Sequence, residues 1–436
     1  MNIPSIVQSK NIKNSFWLIG EQIFQMLINM IVGVLSARYL GPSGYGLLNY
    51  TASFVSFFAA IASLGMDNVV IKRMIEDPTR EGEYLGSCTV LRLLSSFLSI
   101  LAIMLLIMVL NPGEPITLQL AFLQSLQLSF QSIHILNSWF QRHLKSKYVS
   151  VGNMIACVVV SAYKVYLLAA SKSVLWFALS HILTSMIMAL IMYGCYRKEK
   201  GQPLTFRWQS GRRVLEESYH YILSRLMVAI YTQMDKIMIG QMLTDTDVGL
   251  YATATSICGM WTFVPNAIIN SFRPMIMELK VSGKEELYQL RLRQLYSAVI
   301  WICIAASAVI SIIAKWVIYL LYGAAYAGAL QPLRIAIWFE TFAMVGTARG
   351  VWILSEDKSR FVKYYLSIGA VVNLLLNAYL IPVLGIDGAA WATLVTQIVT
   401  SLIAPLFFKE TRIHTRIVLE AFVLKWYFVQ KRKEKH

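Results

Sequence analysis

The chain has 436 residues, 57% of them hydrophobic and 14% charged, with a formal net charge of +16 and a mean hydropathy of +0.58. That balance excludes a soluble enzyme and fits a polytopic membrane protein, because apolar runs of about 20 residues recur along the whole chain. The positive charge is confined to alternate loops, so it reports membrane orientation and excludes a nucleic-acid partner.

The apolar runs predict an all-α polytopic membrane protein with about twelve transmembrane helices. They span 16–39, 45–66, 87–110, 117–140, 149–170, 174–195, 215–240, 247–271, 294–321, 329–353, 361–383 and 387–408. The first run is longer than a signal-peptide core and lacks a small-residue cleavage site, so it is expected to stay as the first span. Gly41, Pro42, Ser43 and Gly44 are turn residues, which makes the first two spans antiparallel neighbours. Glu21, Gln25, Asn29 and Ser36 fall near one face of the first span, and Asn49, Ser53, Ser56 and Ser63 do so on the second. A polar stripe on a membrane helix faces protein or water rather than lipid, so both helices read as lining a pathway.

With these spans, 30 of the 39 Lys and Arg fall on one side, and the opposite loops hold essentially Lys172, with Arg38 at a span edge. Basic loops stay inside, which puts both termini in the cytoplasm and the chain in the cytoplasmic membrane. The outer connections are short and leave no room for an extracytoplasmic domain. Five cysteines lie in or beside apolar runs without a CxxC spacing and read as packing residues. The basic segment 201–213, with Gly201 and Pro203, reads as a cytoplasmic linker between lobes at 1–200 and 214–408. Beyond these, 409–436 reads as a basic amphipathic cytoplasmic tail. Its apolar run 417–429 is too short to cross and ends in Lys431, Arg432 and Lys433, which fits an interfacial helix or a tail packed on the bundle.

The chain repeats itself. A shift of 203 sets Gly46 on Gly249, Leu47 on Leu250, Ser53 on Ser256 and Asn29 on Thr232. A shift of 213 sets Trp139 on Trp352 and Lys145 on Lys358. Repeats of six spans keep their orientation, so two six-helix halves related by a pseudo-twofold axis along the membrane normal are expected. The cavity would then lie between them, lined by spans 1, 2, 7 and 8.

Ionisable groups at bilayer depth are functional candidates by default. Arg225 and Lys236 are eleven residues apart and share a helix face with Tyr221, Ala229 and Thr232, a track for a mobile anion. The blander alternative pairs Asp235 and Lys236 locally and Arg225 with Glu21. The substrate-binding candidates are Arg225, Lys236, Glu21, Gln25, Asn29, Asn49 and Thr232. The coupling candidates are Asp235, Lys164 and Glu340, the last two fitting either a structural pair or a coupling element. Arg92 and Arg349 lie near span ends and are expected to snorkel. His134 and His181 read as interhelical hydrogen bonders. No HExxH, GxSxG or Walker motif is present, so the residues point to a transporter rather than an enzyme. No metal or cofactor is expected, and proton and sodium coupling both stay open.

The chain resembles the polysaccharide-transport flippases, a branch of the multidrug/oligosaccharidyl-lipid/polysaccharide exporter superfamily. The resemblance rests on Ala37-Arg-Tyr-Leu-Gly-Pro-Ser-Gly-Tyr-Gly46, on Ser63-Leu-Gly-Met-Asp-Asn68, and on Asp235-Lys-Ile-Met-Ile-Gly240 followed by Asp247-Val-Gly-Leu-Tyr251. It implies a carrier for polyprenyl-diphosphate-linked glycans that feeds O-antigen or capsule-type polymers. It also implies a cationic cavity, carried over here to Arg225 and then Lys236. Membrane lipid and other polysaccharide-assembly membrane proteins are the expected partners, and a monomer is expected. Relatives that move cell-wall precursors carry several arginines in span 1, where this chain has only Glu21, which argues against that cargo. Tyr45, Tyr50, Tyr251 and Trp261 fit sugar stacking or interfacial anchoring. The competing reading is a cation-coupled multidrug exporter of the same superfamily.

Overall fold

The computed structural model describes residues 5–424, with side chains from 20 to 424. Among the described residues the chain forms helices and no strands. α1 (Ser5–Ala62) is two helical arms that meet at Gly41, whose backbone (φ 68°, ψ 172°) leaves the helical region just before Pro42. A left-handed φ of this kind suits glycine, and the proline that follows reinforces the break. After α2 (Asp67–Glu76) and α3 (Glu81–Leu110) the expected fourth span changes its winding without leaving the right-handed helical region. It consists of α4 (Pro115–Ser125), α5 (Gln127–Gln131), a 3₁₀ turn at Ser132–Ile135 and α6 (Leu136–Arg142). α7 (Ser146–Ala169), α8 (Val174–Lys198) and α9 (Trp208–Met242) follow as continuous helices.

The eighth span is α10 (Asp245–Met260) and α11 (Phe263–Val281), joined by Trp261 and Thr262 in the right-handed helical region. α12 (Glu285–Leu321), α13 (Leu330–Ser355) and α14 (Val362–Leu384) run unbroken. The last span begins as α15 (Ile386–Ile398) and widens into a π turn at Val399–Ile403. Among the described residues, seven helical stretches are long and apolar enough to cross a membrane on those grounds alone. α9 is not one of them, because Arg225, Asp235 and Lys236 interrupt its apolar sequence. Large apolar side chains such as Phe97 and Val109 on α3 and Trp316 and Leu320 on α12 point outward, as a lipid-facing surface requires. This is an all-α, multi-pass membrane protein.

Two compact units, Met1–Ala229 and Ile230–His436, divide inside α9 and not at 201–213. The expected linker belongs to the first unit because it is bonded to α3. Gly82 N donates to Gln202 Oε1 (3.0 Å), Thr205 N donates to Gly82 O (3.3 Å), and Arg207 N donates to Ser87 Oγ (2.9 Å). The approach is backbone to backbone. A Cβ on Gly86 would lie 2.4 Å from Thr205 O, closer than real side chains come. Gly86→Val is therefore expected to expel the segment, read as faster proteolytic cleavage within 201–207. Gly194→Ala, where nothing lies within 4 Å, should leave the cleavage rate unchanged.

The ends of the first unit follow the charge pattern. At one end Tyr39 donates to Lys172 O (3.1 Å) and Tyr50 to Asn111 Oδ1 (2.7 Å), joining the short, weakly charged loops. At the other end buried Glu81 accepts from Trp139 Nε1 (2.8 Å) and pairs with Arg142, and Lys145 Nζ pairs with Glu199 (2.5 Å). The Lys145 and Tyr148 hydrogen bonds hold the Glu199 carboxyl below its ordinary range.

The sequence repeat is also a repeat of contacts. In the first unit Lys145 Nζ sits 5.2 Å from the Trp139 ring centroid, after a turn in which Leu144 is left-handed (φ 52°) and Lys145 N donates to Phe140 O (2.8 Å). In the second unit Lys358 Nζ sits 4.8 Å from Trp352, Asp357 has φ 52°, and Lys358 N donates to Ile353 O (2.9 Å). A buried Ser96 donates to Leu128 O and meets Ser132 in one unit, as Ser307 does with Ile337 O and Thr341 in the other.

Two arginines expected to snorkel are buried instead. Arg349 donates to the carbonyl of Thr400, a group in the π turn, and lies 4.6 Å from the Tyr365 ring. Arg92 belongs to the site below. The tail helix α16 (Arg412–Phe422) starts before the expected apolar run and packs on α12. His414, Ile417 and Val418 are buried, Ser297 Oγ donates to Ala421 O (2.8 Å), and Arg293 pairs with Glu420 (2.9 Å). The basic end at 431–433 lies outside the described residues.

Candidate functional site

In the first unit α1 ends at Ala62, and Leu64 (φ 50°) and Gly65 (φ 58°) turn the chain into α2. A Cβ on Gly65 would meet Tyr221 Cβ at 2.8 Å and Ile222 N at 2.9 Å, so only glycine lets this turn lie against α9. The turn delivers Asp67 between two arginines. Its Oδ1 accepts from Arg92 Nη2 of α3 (2.8 Å), and its Oδ2 accepts from Arg225 Nη2 of α9 (2.6 Å). Arg225 Nη1 also donates to Ser63 Oγ (2.8 Å). Arg92 is 4% exposed and the Arg225 side chain 43%.

These groups border a cavity of about 430 Å³. Amides from Asn68, Gln131, Asn137 and Gln141 and hydroxyls from Ser96, Ser132 and Ser138 line it, with His134. His134 Nε2 lies 3.4 Å from Ser185 O, an interhelical contact. One carboxylate against two guanidiniums leaves a surplus positive charge in a partly enclosed space. Guanidiniums bind phosphoryl oxygens with paired N–H donors, and amides and hydroxyls exchange hydrogen bonds with sugar hydroxyls. The lining therefore suits a phosphorylated glycan headgroup.

Of the substrate-binding candidates singled out in sequence, Arg225 is at this cavity, and Ser63 of the second-span stripe lines it as well. Glu21 is buried instead against α7, where Asn153 Nδ2 (2.5 Å) and Gln25 Nε2 (3.2 Å) donate to it, so Arg225 pairs with Asp67 and not with Glu21. The polar stripe of the first span is thus a helix-packing face, since periodicity identifies a face but not its neighbour. Asn29 is exposed beside Cys157, and Asn49 donates to Tyr45 O of its own helix (2.8 Å). Tyr50 and Tyr251 are buried with their hydroxyls engaged, which removes them from sugar stacking. Arg92 and the amides of the fourth span were missed. The polar recurrence Gln127, Gln131, His134, Asn137, Gln141 at helical spacing carries that signal.

In the second unit Asp235 is buried and accepts four hydrogen bonds. Oδ1 takes Asn377 Nδ2 (2.7 Å) and Asn373 Nδ2 (3.2 Å), and Oδ2 takes the Tyr251 (2.6 Å) and Thr393 (2.5 Å) hydroxyls. Asn373 and Asn377 are one turn apart on the apolar helix α14, a spacing visible in the sequence. Asn377 Oδ1 is buried and, among the described residues, has no donor. Amide N–H and hydroxyl donors from α10, α14 and α15 thus converge on the α9 carboxylate at one buried point. Lys236 is half-buried on α9, and Thr232 is exposed there. Lys164 is half-buried on α7 of the first unit, and Glu340 is half-buried on α13 of the second, near Cys258 and Cys303.

The sequence profile of the polysaccharide biosynthesis protein family matches residues 12–280, more than half the chain. The chain belongs to that family. Among curated relatives, this family member is similar to a probable low-salt glycan biosynthesis flippase, Agl15, of Haloferax volcanii, 21% identical over 90% of this chain and 82% of the relative. Its fold is similar to that of the lipid II flippase MurJ (TM-score 0.74, 13% identity, 95% of this chain and 92% of that one). It is also similar to a multidrug resistance MATE family transporter of the MOP superfamily (TM-score 0.64, 17% identity, 91% of this chain and 96% of that one). The family member thus has the MurJ and MATE fold.

Proposed function

We propose that this protein is a flippase for lipid-linked glycans. It moves polyprenyl-diphosphate-linked oligosaccharide units across the cytoplasmic membrane by alternating access, with both termini in the cytoplasm and no chemistry done on the cargo. The product feeds an O-antigen- or capsule-type surface polymer. The observation that carries this reading is the cavity in which Arg92 and Arg225 share Asp67 amid amides and hydroxyls.

The physical need is plain. A hydroxyl taken into hydrocarbon without a partner costs about 2–7 kcal/mol, and an oligosaccharide carries many. A polar cavity supplies those partners while the polyprenyl chain stays in lipid. The surplus arginine charge favours an anionic cargo over the cationic compounds that a drug exporter would take. Coupling is assigned to Asp235, a buried carboxylate inside an apolar helix bundle, where an ionisable group suits a proton-linked or cation-linked step.

Reconstitution in liposomes with a fluorescent polyprenyl-diphosphate glycan tests the reading. Leaflet exchange above that of protein-free vesicles, stimulated by a sodium or pH gradient, is the expected result. No exchange, together with gradient-driven efflux of a cationic dye, would replace it with the multidrug exporter.

A further inference from the structure

We infer that Asp67 is a built-in stand-in for the cargo's diphosphate, a carboxylate that holds the two arginines together and must yield them when cargo arrives. The inference rests on the flippase reading above and adds to it a residue that sets selectivity and release. The geometry is that of a bridging anion. The two oxygens of one carboxylate take one guanidinium each, at 2.8 and 2.6 Å, as the two phosphoryl groups of a diphosphate would. Arg92 is more than nine-tenths buried at the cavity wall, and among the described residues its Nε has no acceptor. Arg92 therefore keeps a donor to offer an incoming anion at the cavity wall.

The position of Asp67 suits exchange. It is the first residue of α2 and follows directly on a turn in which Leu64 holds a left-handed backbone that leucine disfavours. A small change in that turn withdraws the carboxylate while both arginines remain on their own long helices, α3 and α9. Because Asp67 competes for the same N–H groups, an incoming anion has to engage both arginines to displace it. A diphosphate does so more readily than a monophosphate. The same carboxylate, returning, helps eject the headgroup on the far side.

The test uses purified full-length protein with farnesyl diphosphate and farnesyl monophosphate as probes. Asp67→Asn should bind the diphosphate about tenfold tighter, the order expected when one charge-assisted competitor is removed. Its preference for diphosphate over monophosphate should narrow, and Asp67→Glu, which keeps the carboxylate, should stay near wild type. Equal or weaker diphosphate binding by Asp67→Asn, with wild-type binding intact, overturns the stand-in and leaves the flippase reading standing. No diphosphate binding by the wild-type protein overturns both.

A second measurement needs no variant. Farnesyl diphosphate should speed amide hydrogen exchange across 63–68 in the wild-type protein as Asp67 lets go. Slower exchange there would show that the carboxylate stays in place and overturn the proposal.

Discussion

Arg225→Ala should abolish glycan export while the protein reaches the membrane at its normal level. The two halves of that expectation have different magnitudes. The Arg225 side chain is 43% exposed, so its pair with Asp67 contributes only about 0–1 kcal/mol to folding. A guanidinium on a phosphate is a charge-assisted contact worth about 1.5–3 kcal/mol, or roughly ten- to hundredfold in grip on the cargo. Transport is therefore lost well before stability is. Arg92→Ala is the contrasting case. That side chain is buried in the cavity wall, and removing it costs a charge-assisted hydrogen bond worth about 1.5–3 kcal/mol and leaves Asp67 with Arg225 alone, so its loss should lower the amount of protein as well. Export scored in a strain lacking the endogenous protein, normalised to membrane content by immunoblot, separates them. Normal export by Arg225→Ala at matched level would take Arg225 out of the mechanism.

Asp235→Asn should leave a folded carrier whose transport no longer responds to a cation gradient. The amide is nearly isosteric with the carboxylate. With its oxygen toward Asn373 and Asn377 and its NH₂ toward Tyr251 and Thr393, the two hydroxyls rotate to accept, and every group keeps a partner. What disappears is the negative charge. Asp235→Ala is harsher, because four buried donors lose their acceptor, and each unmade bond costs about 1–3 kcal/mol. Leaflet exchange in liposomes with and without sodium, and across a pH step, reads the difference. Gradient stimulation that survives in Asp235→Asn moves coupling elsewhere, with Lys164 and Glu340 the next residues to vary.

Fold class was legible because it rests on length and composition. An apolar run of about 20 residues forms a helix in hydrocarbon without any tertiary contact, because its backbone groups must be satisfied within the segment. The repeat was legible for a related reason. Trp139 with Lys145 and Trp352 with Lys358 are close in sequence, so the turn they share is encoded locally. The change in winding at 126 was not legible, since no proline or glycine adjoins it, whereas Gly259 and Pro265 flank the junction at 261–262.

Sequence alone also singled out Arg225 and Asp235, because a charge inside an apolar helix stands out whatever surrounds it. It did not identify their partners. Asp67 and Arg92 lie 25 residues apart, and Asp67 and Arg225 lie 158 apart. Asn373, Asn377 and Thr393 reach Asp235 from helices far along the chain. Helical periodicity assigns a residue to a face, and packing alone decides what that face meets. That is why Glu21 of α1 packs against α7 while Arg92, expected at the membrane surface, closes the wall of the cavity.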